Sequence, residues 1–412
     1  MITRRMGLLA ATAAVALTGC AAPLPGDPHA GEIDVRTLDI GNYSTEPLDL
    51  RTRYKHNPTN GKQLAAMRLA DHVVTGSDID PDIGYQLRWS GVGSAWGAVL
   101  YEDLLPKGAE EVLDRNGMLF GFSSAATAEI SGKTGELDFH PEQQHAAKRA
   151  RVAVLQFPDE DSARRAATEL DVADFAADAD QNQPVTLPNY PGALAHWRPD
   201  WPSIGTTMAH GRYAVSIQLR LSTPDLAGLT AQAEKAYAAQ LPLLDSLKPL
   251  SAEEVLLLDY DPQGILRRSL NVNGESRPAT TEHAAFGLQG YLHTRPDRSV
   301  KAMYAKAGAD VFGINRLPGS GDQMTTIRTR DDEAAKGLAR DIFAAPGLKV
   351  IEPPANIPDA TCVDDSPPGE KSWPKYVCVV RYRRYVAHVF SNQVNDARQR
   401  AAAQYALFAN SQ

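Results

Sequence analysis

One stretch of this chain occurs twice, and the repeat constrains the fold more than any other feature. Pro158-Asp159-Glu160-Asp161-Ser162-Ala163-Arg164-Arg165-Ala166-Ala167 lines up with Arg330-Asp331-Asp332-Glu333-Ala334-Ala335-Lys336-Gly337-Leu338-Ala339. At the same interval, Gly211-Arg212-Tyr213-Ala214-Val215 lines up with Arg383-Arg384-Tyr385-Val386-Ala387. Two matches sharing one interval are harder to assign to chance than either alone. Two copies are too few for a solenoid, so paired domains are implied.

The repeated pattern has a physical reading. Arg151–Phe157 is a short apolar strand stopped by Pro158. Asp159, Glu160 and Asp161 then open a helix carrying Ala163, Ala166, Ala167 and Leu170 at helical spacing, and negative charge in a first turn suits the helix dipole. Gly211 falls at a turn and is followed by alternating Tyr213, Val215, Ile217 and Leu219, which is a hairpin pattern. An Ala-rich amphipathic helix over about Leu229–Leu244 closes the unit. The second copy predicts strand Met324–Thr329, helix Asp331–Ala344, strands Tyr376–Tyr382 and Tyr385–Ser391, and a final helix Val394–Ala409. The fold class is therefore α+β: two related domains from an internal duplication, with mainly antiparallel sheets and helices packed on one face. The domains are read as 36–250 and 251–412, divided after Lys248-Pro249. Residues 36–149 have no match at the repeat interval; Leu64–Val74 reads as a helix, and 84–104 as loops and short strands.

With 412 residues, 22% of them charged and 43% hydrophobic, the chain has the length for two or three folded units with cores of their own. Its first segment is of another kind. Arg4 and Arg5 precede an apolar run, Met6–Leu17, too short to span about 30 Å of hydrocarbon, so 1–19 reads as a signal peptide. Losing those two arginines from 42 basic residues leaves 40 against 50 acidic ones, a net −10. An acidic body excludes nucleic acid, and adhesion to anionic lipid through a basic face, as expectations.

Leu17-Thr18-Gly19-Cys20 looks like a bacterial lipobox. That resemblance implies cleavage before Cys20 and lipid on its sulfur, a diacylglycerol and palmitate-type anchor on the extracytoplasmic face of the cell membrane. Two acyl chains suffice for stable anchoring. Residues 20–35, with Pro23, Pro25, Gly26 and Pro28, read as a flexible tether. Of the three cysteines, Cys20 is then taken by lipid, leaving Cys362 and Cys378 for a disulfide in an oxidising compartment. A metal site would need further ligands, and His388 alone is not enough.

No nucleophile elbow, zinc-protease helix or P-loop occurs. Gly91-Val92-Gly93-Ser94-Ala95-Trp96-Gly97 departs from the dinucleotide fingerprint and reads as turn glycines beside a tryptophan. His140 and His145 are five apart and do not share a helical face, so no metal and no cofactor is expected. More informative is the Pro-rich connection Tyr190–Pro202. Tyr190, His196, Trp197, Arg198 and Trp201 either line a ligand cleft or partner surface, or the tryptophans cap the sheet.

Three segments carry a family resemblance: Leu38-Asp39-Ile40-Gly41-Asn42-Tyr43-Ser44-Thr45-Glu46-Pro47, Ala66-Met67-Arg68-Leu69-Ala70-Asp71-His72-Val73, and the ending Gln399-Arg400-Ala401-Ala402-Ala403-Gln404-Tyr405-Ala406. With the lipobox, they resemble a family of actinobacterial, mycobacterial-type envelope lipoproteins of unknown function, over nearly the whole mature chain. The resemblance implies an N-terminal and a C-terminal domain on a lipidated cysteine, and no catalytic residues. A looser similarity, of fold only, is to extracellular sensor domains of actinobacterial receptor kinases. The resulting expectation is a non-enzymatic envelope lipoprotein that binds a small or lipidic ligand, or an envelope protein, in a cleft between the copies. The alternatives are a hydrolase acting on wall or lipid substrates and a structural spacer.

Overall fold

Arg149–Gln156 is apolar on both faces: Val152, Ala153, Val154 and Leu155 are all buried. A strand of that kind must sit inside a sheet covered on both sides. The computed structural model describes residues 33–94, 105, 108–129, 148–272, 274, 282–295, 300–316, 323–344, 347–365 and 375–411. Cys20, the tether as far as residue 32, His140 and His145 lie outside the described residues. The described elements from Val35 onward belong to one compact unit, Val35–Gln412.

The first half contains α1 (Pro58–Leu69), α2 (Gly76–Ile79), β1 (Tyr85–Val92), α3 (Ala109–Arg115), β2 (Phe120–Thr127), β3 (Arg149–Gln156), α4 (Glu160–Ala176), β4 (Gln183–Val185), β5 (Leu194–Arg198), β6 (Trp201–His210), β7 (Tyr213–Arg220) and α5 (Leu226–Asp245). The second contains α6 (Ala252–Leu256), β8 (His283–Phe286), α7 (Leu288–Leu292), α8 (Val300–Lys306), β9 (Val311–Arg316), β10 (Gln323–Arg328), α9 (Asp332–Asp341), β11 (Lys349–Ile351), β12 (Thr361–Asp364), β13 (Tyr376–Tyr382), β14 (Tyr385–Ser391) and α10 (Val394–Asn410). Their sheets run β1-β2-β3-β7-β6-β5-β4 and β8-β9-β10-β14-β13-β12-β11, the same order strand for strand, with antiparallel neighbours throughout.

The duplication extends to local chemistry. Asp159 caps α4 by accepting from the Ser162 amide at 2.7 Å, and Asp331 caps α9 by accepting from the Ala334 amide at 2.8 Å. Both hairpins turn in two residues, between His210 and Tyr213 and between Tyr382 and Tyr385. The first turn residue is left-handed in each, Gly211 at φ 54° and Arg383 at φ 48°. Only glycine adopts that conformation without steric cost, so the first copy has the less strained turn.

One expectation is refined. Helices cover both faces of each sheet rather than one. On β6, Gly205 faces Asp174 of α4, whereas its neighbour Thr206 meets the Tyr237 hydroxyl of α5 at 3.1 Å from the other side. On β13, Arg381 pairs with Asp332 of α9, and Tyr382 packs edge-on against Tyr405 of α10. The doubly apolar central strands require this second layer.

Cys362 and Cys378 face each other directly across β12 and β13, with Cα atoms 4.1 Å apart, and form a disulfide that is fully buried. Replacing both by alanine is expected to lower unfolding stability by about 3 kcal/mol, the loop-closure entropy of a cross-link of this span. Urea titration of the double variant measures it; a loss well below 1 kcal/mol would mean that the bond does not restrain the unfolded chain.

The two halves are joined by polar groups of opposite origin. Asp71, just beyond α1, accepts from the amides of Gly287 at 2.8 Å and Gly290 at 2.7 Å, capping α7 of the second half. Asp78 binds Lys301 at 2.6 Å and Gln289 at 2.7 Å. His293 is fully buried between Ser124 Oγ at 2.8 Å and the Val73 carbonyl at 3.0 Å. Beside them, Trp89 stacks on Phe122, meets the edge of Phe286 and lies under Arg316.

Candidate functional site

Among the described residues, the space at the seam lined by Thr75, Gln86, Leu292, Arg295 and Lys301 amounts to about 20 Å³, too small for a ligand. A larger cavity, about 300 Å³, opens within the first half, over the part of its sheet that α4 leaves uncovered.

Its floor follows from strand register. Arg149 faces Arg220 across β3 and β7, and Arg220 faces Ser203 across β7 and β6. Two residues along, Arg151 faces Gln218, Gln218 faces Gly205, and Gly205 faces His196 of β5. Alternation along a strand puts both rows on one face. The walls come from the β5–β6 hairpin, with His196, Trp197, Arg198 and Trp201, and from Asp174, Ala177 and Asn182 of α4 and the turn beyond it.

Four of the five residues singled out from the sequence thus meet at one cavity, and their segment is a β-hairpin rather than an irregular connection. Tyr190 does not join them. Its ring packs against Tyr237 at 5.3 Å, on the face of the sheet that α5 covers. Trp201 is 37% exposed at the mouth, with the Arg220 guanidinium over its ring at 4.6 Å, a cation–π contact. Sequence reading missed Arg149, Arg151 and Arg220, because arginines at strand ends are ordinarily solvated. The available signal was the alternation Arg149-x-Arg151 leading into a buried strand.

Charge is distributed unevenly here. His196 is bracketed by two carboxylates of α4, Nδ1 at 3.3 Å from Asp171 and Nε2 at 3.5 Å from Asp174. Burial would push its pKa down, but the hydrogen bonds and charges of Asp171 and Asp174 outweigh burial and lift it to about 9. Gly205 permits this approach: a Cβ there would lie 2.9 Å from Asp174 Oδ2 and 3.2 Å from His196 Nε2. Arg198 is paired with Asp178 at 2.9 Å. Asp171, Asp174 and Asp178 are therefore engaged by His196 and Arg198. Burial lowers the pKa of Arg149, and the nearby Arg220 and Arg151 lower it further; burial also lowers that of Arg220. Arg149 Nε is buried without a hydrogen-bond partner among the described residues.

Other candidates are weaker. A second cavity of about 330 Å³ lies under Ser44–Arg53, against Leu266, Ile314 and Leu407, and has no comparable convergence of charge. Gly91 and Val92 end β1 instead of forming a turn; a Cβ on Gly91 would meet Met67 Cε at 2.5 Å. Ala95, Trp96 and Gly97 lie outside the described residues. The Ser124–His293 pair is sealed inside the seam, out of reach of any substrate. Among the described residues, no group of three His, Cys, Asp or Glu side chains is placed to hold a metal ion, and no helix is long and apolar enough to cross a membrane.

Comparison with known proteins divides the chain as its sheets do. The model described as Domain of unknown function (DUF7373) N-terminal matches residues 52–260, and its C-terminal counterpart matches residues 265–411. No curated protein matches. The crystal structure of the extracellular domain of PknH from Mycobacterium tuberculosis is similar at 9% identity and a TM-score of 0.26, over 47% of this chain and 100% of that one.

Proposed function

The chain belongs to the DUF7373 family in both of its halves, and on that premise we propose that it is an exported, lipid-anchored protein of the cell envelope that binds a small or lipidic ligand in the cavity of its first half. The observation that carries this reading is the meeting of Trp197 and Trp201 with Arg149, Arg151 and Arg220 around one open space of about 300 Å³. Small-molecule sites combine apolar walls with a few convergent polar groups, and roughly 300 Å³ is at the lower end of their range. The placement outside the cytoplasm is supported by the leader, the lipobox at Cys20 and the buried Cys362–Cys378 bond.

The state of His196 favours binding over hydrolysis. A histidine beside an aspartate in a cavity that also contains Ser203 meets the outline of an acyl-transfer site. With both ring nitrogens held by carboxylates and a pKa of about 9, however, the imidazole carries its proton at neutral pH. It then has no lone pair with which to deprotonate a nucleophile.

Two measurements test the proposal. The mature protein from its own envelope is expected to begin at Cys20 and to carry the mass of a diacylglyceryl group; an intact Met1, or a free thiol at Cys20, would remove the anchor. Native mass spectrometry of the same material is expected to show an adduct that is lost from Trp201→Ala. Recovering the protein with neither ligand nor partner would count against a binding role.

A further inference from the structure

Residues 44–49 form neither helix nor strand, and they roof the second cavity of about 330 Å³. Each end of the roof is fixed. The Tyr43 hydroxyl donates to Asp396 at 2.6 Å and accepts from Arg400 Nε at 2.9 Å, and the Thr45 carbonyl accepts from Asn410 Nδ2 at 2.9 Å, all on α10. At the far end Leu50 is buried, and Tyr54 stacks on Tyr260 at 5.5 Å. Between these points, among the described residues, Glu46, Pro47 and Leu48 hydrogen-bond only within their own segment. A segment held at its ends and not along its span opens with little loss of hydrogen bonding.

The walls below are mostly apolar, with Pro47, Leu48, Leu266 and Leu407. The polar end is a buried pair, His283 and Asn315, opposed across β8 and β9. Asn315 Nδ2 donates to the Leu270 carbonyl at 2.8 Å, which turns the amide oxygen toward His283, so His283 Nε2 donates to it at 2.9 Å. In the neutral ring Nδ1 then keeps its lone pair. Arg267, also on the wall, has a buried Nε without a hydrogen-bond partner among the described residues. A hydroxyl or primary amide meets both needs, by donating to Nδ1 and accepting from Nε. A carboxylate meets only the second and is repelled by the first.

The duplicated half provides an internal comparison. At the repeat interval Arg151 corresponds to Gln323, and strand pairing carries the match onward. Arg151 faces Ala125 and Gln323 faces Arg316, so Ser124 corresponds to Asn315 and Trp89 to His283. In the first half that place is packed, with Trp89 against Phe122 and Phe286, and Ser124 bonded to His293. The second half puts a smaller ring and an amide there and leaves a space beside them. The space is therefore not imposed by the fold, and an apolar space kept open costs packing.

We infer that the cavity under residues 44–49 is a second ligand site, separate from that of the first half. It takes an uncharged, mainly apolar molecule with one hydroxyl or primary amide, whose polar end lies at His283 and whose carbon body lies beneath Pro47 and Leu48.

Isothermal titration of the full chain, stripped of co-purifying lipid, tests this with decanol, its methyl ether and decanoate. Trp201→Ala, in the first-half cavity, is expected to keep one decanol site at wild-type affinity. Leu48→Trp, which fills the space under the roof, is expected to lose that site with unchanged circular dichroism. Decanol is expected to bind about fivefold more tightly than the ether, the net worth of one hydrogen bond. His283→Gln retains a donor toward Asn315 and is expected to remove that difference. Decanol bound by Leu48→Trp but not by Trp201→Ala would overturn the second site and leave the first-half reading standing. Decanoate matching decanol at the site sensitive to Leu48→Trp would overturn the uncharged assignment. Absence of decanol binding from the wild type would overturn the second site, while the adduct lost from Trp201→Ala decides the first-half reading separately.

Discussion

Raising the pH from 6.5 to about 9 is expected to remove on the order of 3 kcal/mol of folding stability, and His196→Gln is expected to abolish most of that loss. His196 has an ordinary pKa of 6.5 in the unfolded chain and about 9 in the folded one. A raised folded-state pKa means that the native protein binds the proton more tightly than the unfolded chain does. The resulting stability is fully present below pH 6.5 and disappears as pH rises through 9. The side chain is only 7% exposed, so solvent screens the pair weakly. At about 1.4 kcal/mol per pKa unit, the shift corresponds to roughly 3 kcal/mol. Urea titrations of wild type and variant at half-unit pH steps measure it; a flat wild-type profile from pH 6.5 to 9 would mean that His196 is not ion-paired with Asp171 and Asp174 in solution.

His293 acts with the opposite sign. Complete burial drives its pKa down to about 4, against pulls from the Val73 carbonyl and the charge of Asp78. It is folded in as the neutral ring, so its contribution is present above pH 6.5 and is lost as pH falls through 4. Between the two histidines, the stability maximum is expected close to pH 6.5. Replacing His196 should flatten the alkaline side alone.

Asp71→Ala is expected to cost about 3–5 kcal/mol, the largest effect of any single substitution outside the hydrophobic core. Its carboxylate reaches from the end of α1 into the second half, where it accepts from Gly287 and Gly290. Burial pushes the Asp71 pKa up, and the two amides oppose that rise. Alanine would leave both amides buried beside a void, and each unsatisfied group costs about 1–3 kcal/mol in addition to the lost cap. The two glycines have no room for larger neighbours: a Cβ on either would lie 2.8 Å from Asp71 Oδ1. Asp71→Asn, which keeps one acceptor oxygen, is expected to recover part of the loss. Denaturant unfolding of the two variants provides the test; a cost below 1 kcal/mol for alanine would show that the seam is held by its apolar contacts.

Much of the fold was legible because secondary structure follows periodicity. Alternation in Tyr213, Val215, Ile217 and Leu219 locates β7, and the acidic start at Asp159 and Asp331 locates α4 and α9 with their caps. The repeat interval also places the two hairpin turns at equivalent positions. What it does not reveal is that β1 and β2 correspond to β8 and β9. The segments joining them to the shared core differ in length between the halves, so the match disappears from a fixed interval although the strand order preserves it. Residues 36–149 for that reason read as unrelated.

The candidate site divides in the same manner. His196, Trp197, Arg198 and Trp201 were visible as a local cluster because they share one hairpin. Tyr190 stood in the same cluster by sequence and was carried to the opposite face, where Tyr237 receives it. Arg149 and Arg220 are distant in sequence and meet through strand pairing.

Periodicity and the repeat interval were sufficient to specify a duplicated α+β architecture, since these depend on residues that are near one another along the chain. The opposed arginines, the imidazolium at His196 and the Asp71 cap that joins the halves arise from the packing of the folded chain. Each depends on charges brought within a few ångströms across strands or helices, and Coulomb and desolvation energies follow distance in space rather than separation in sequence.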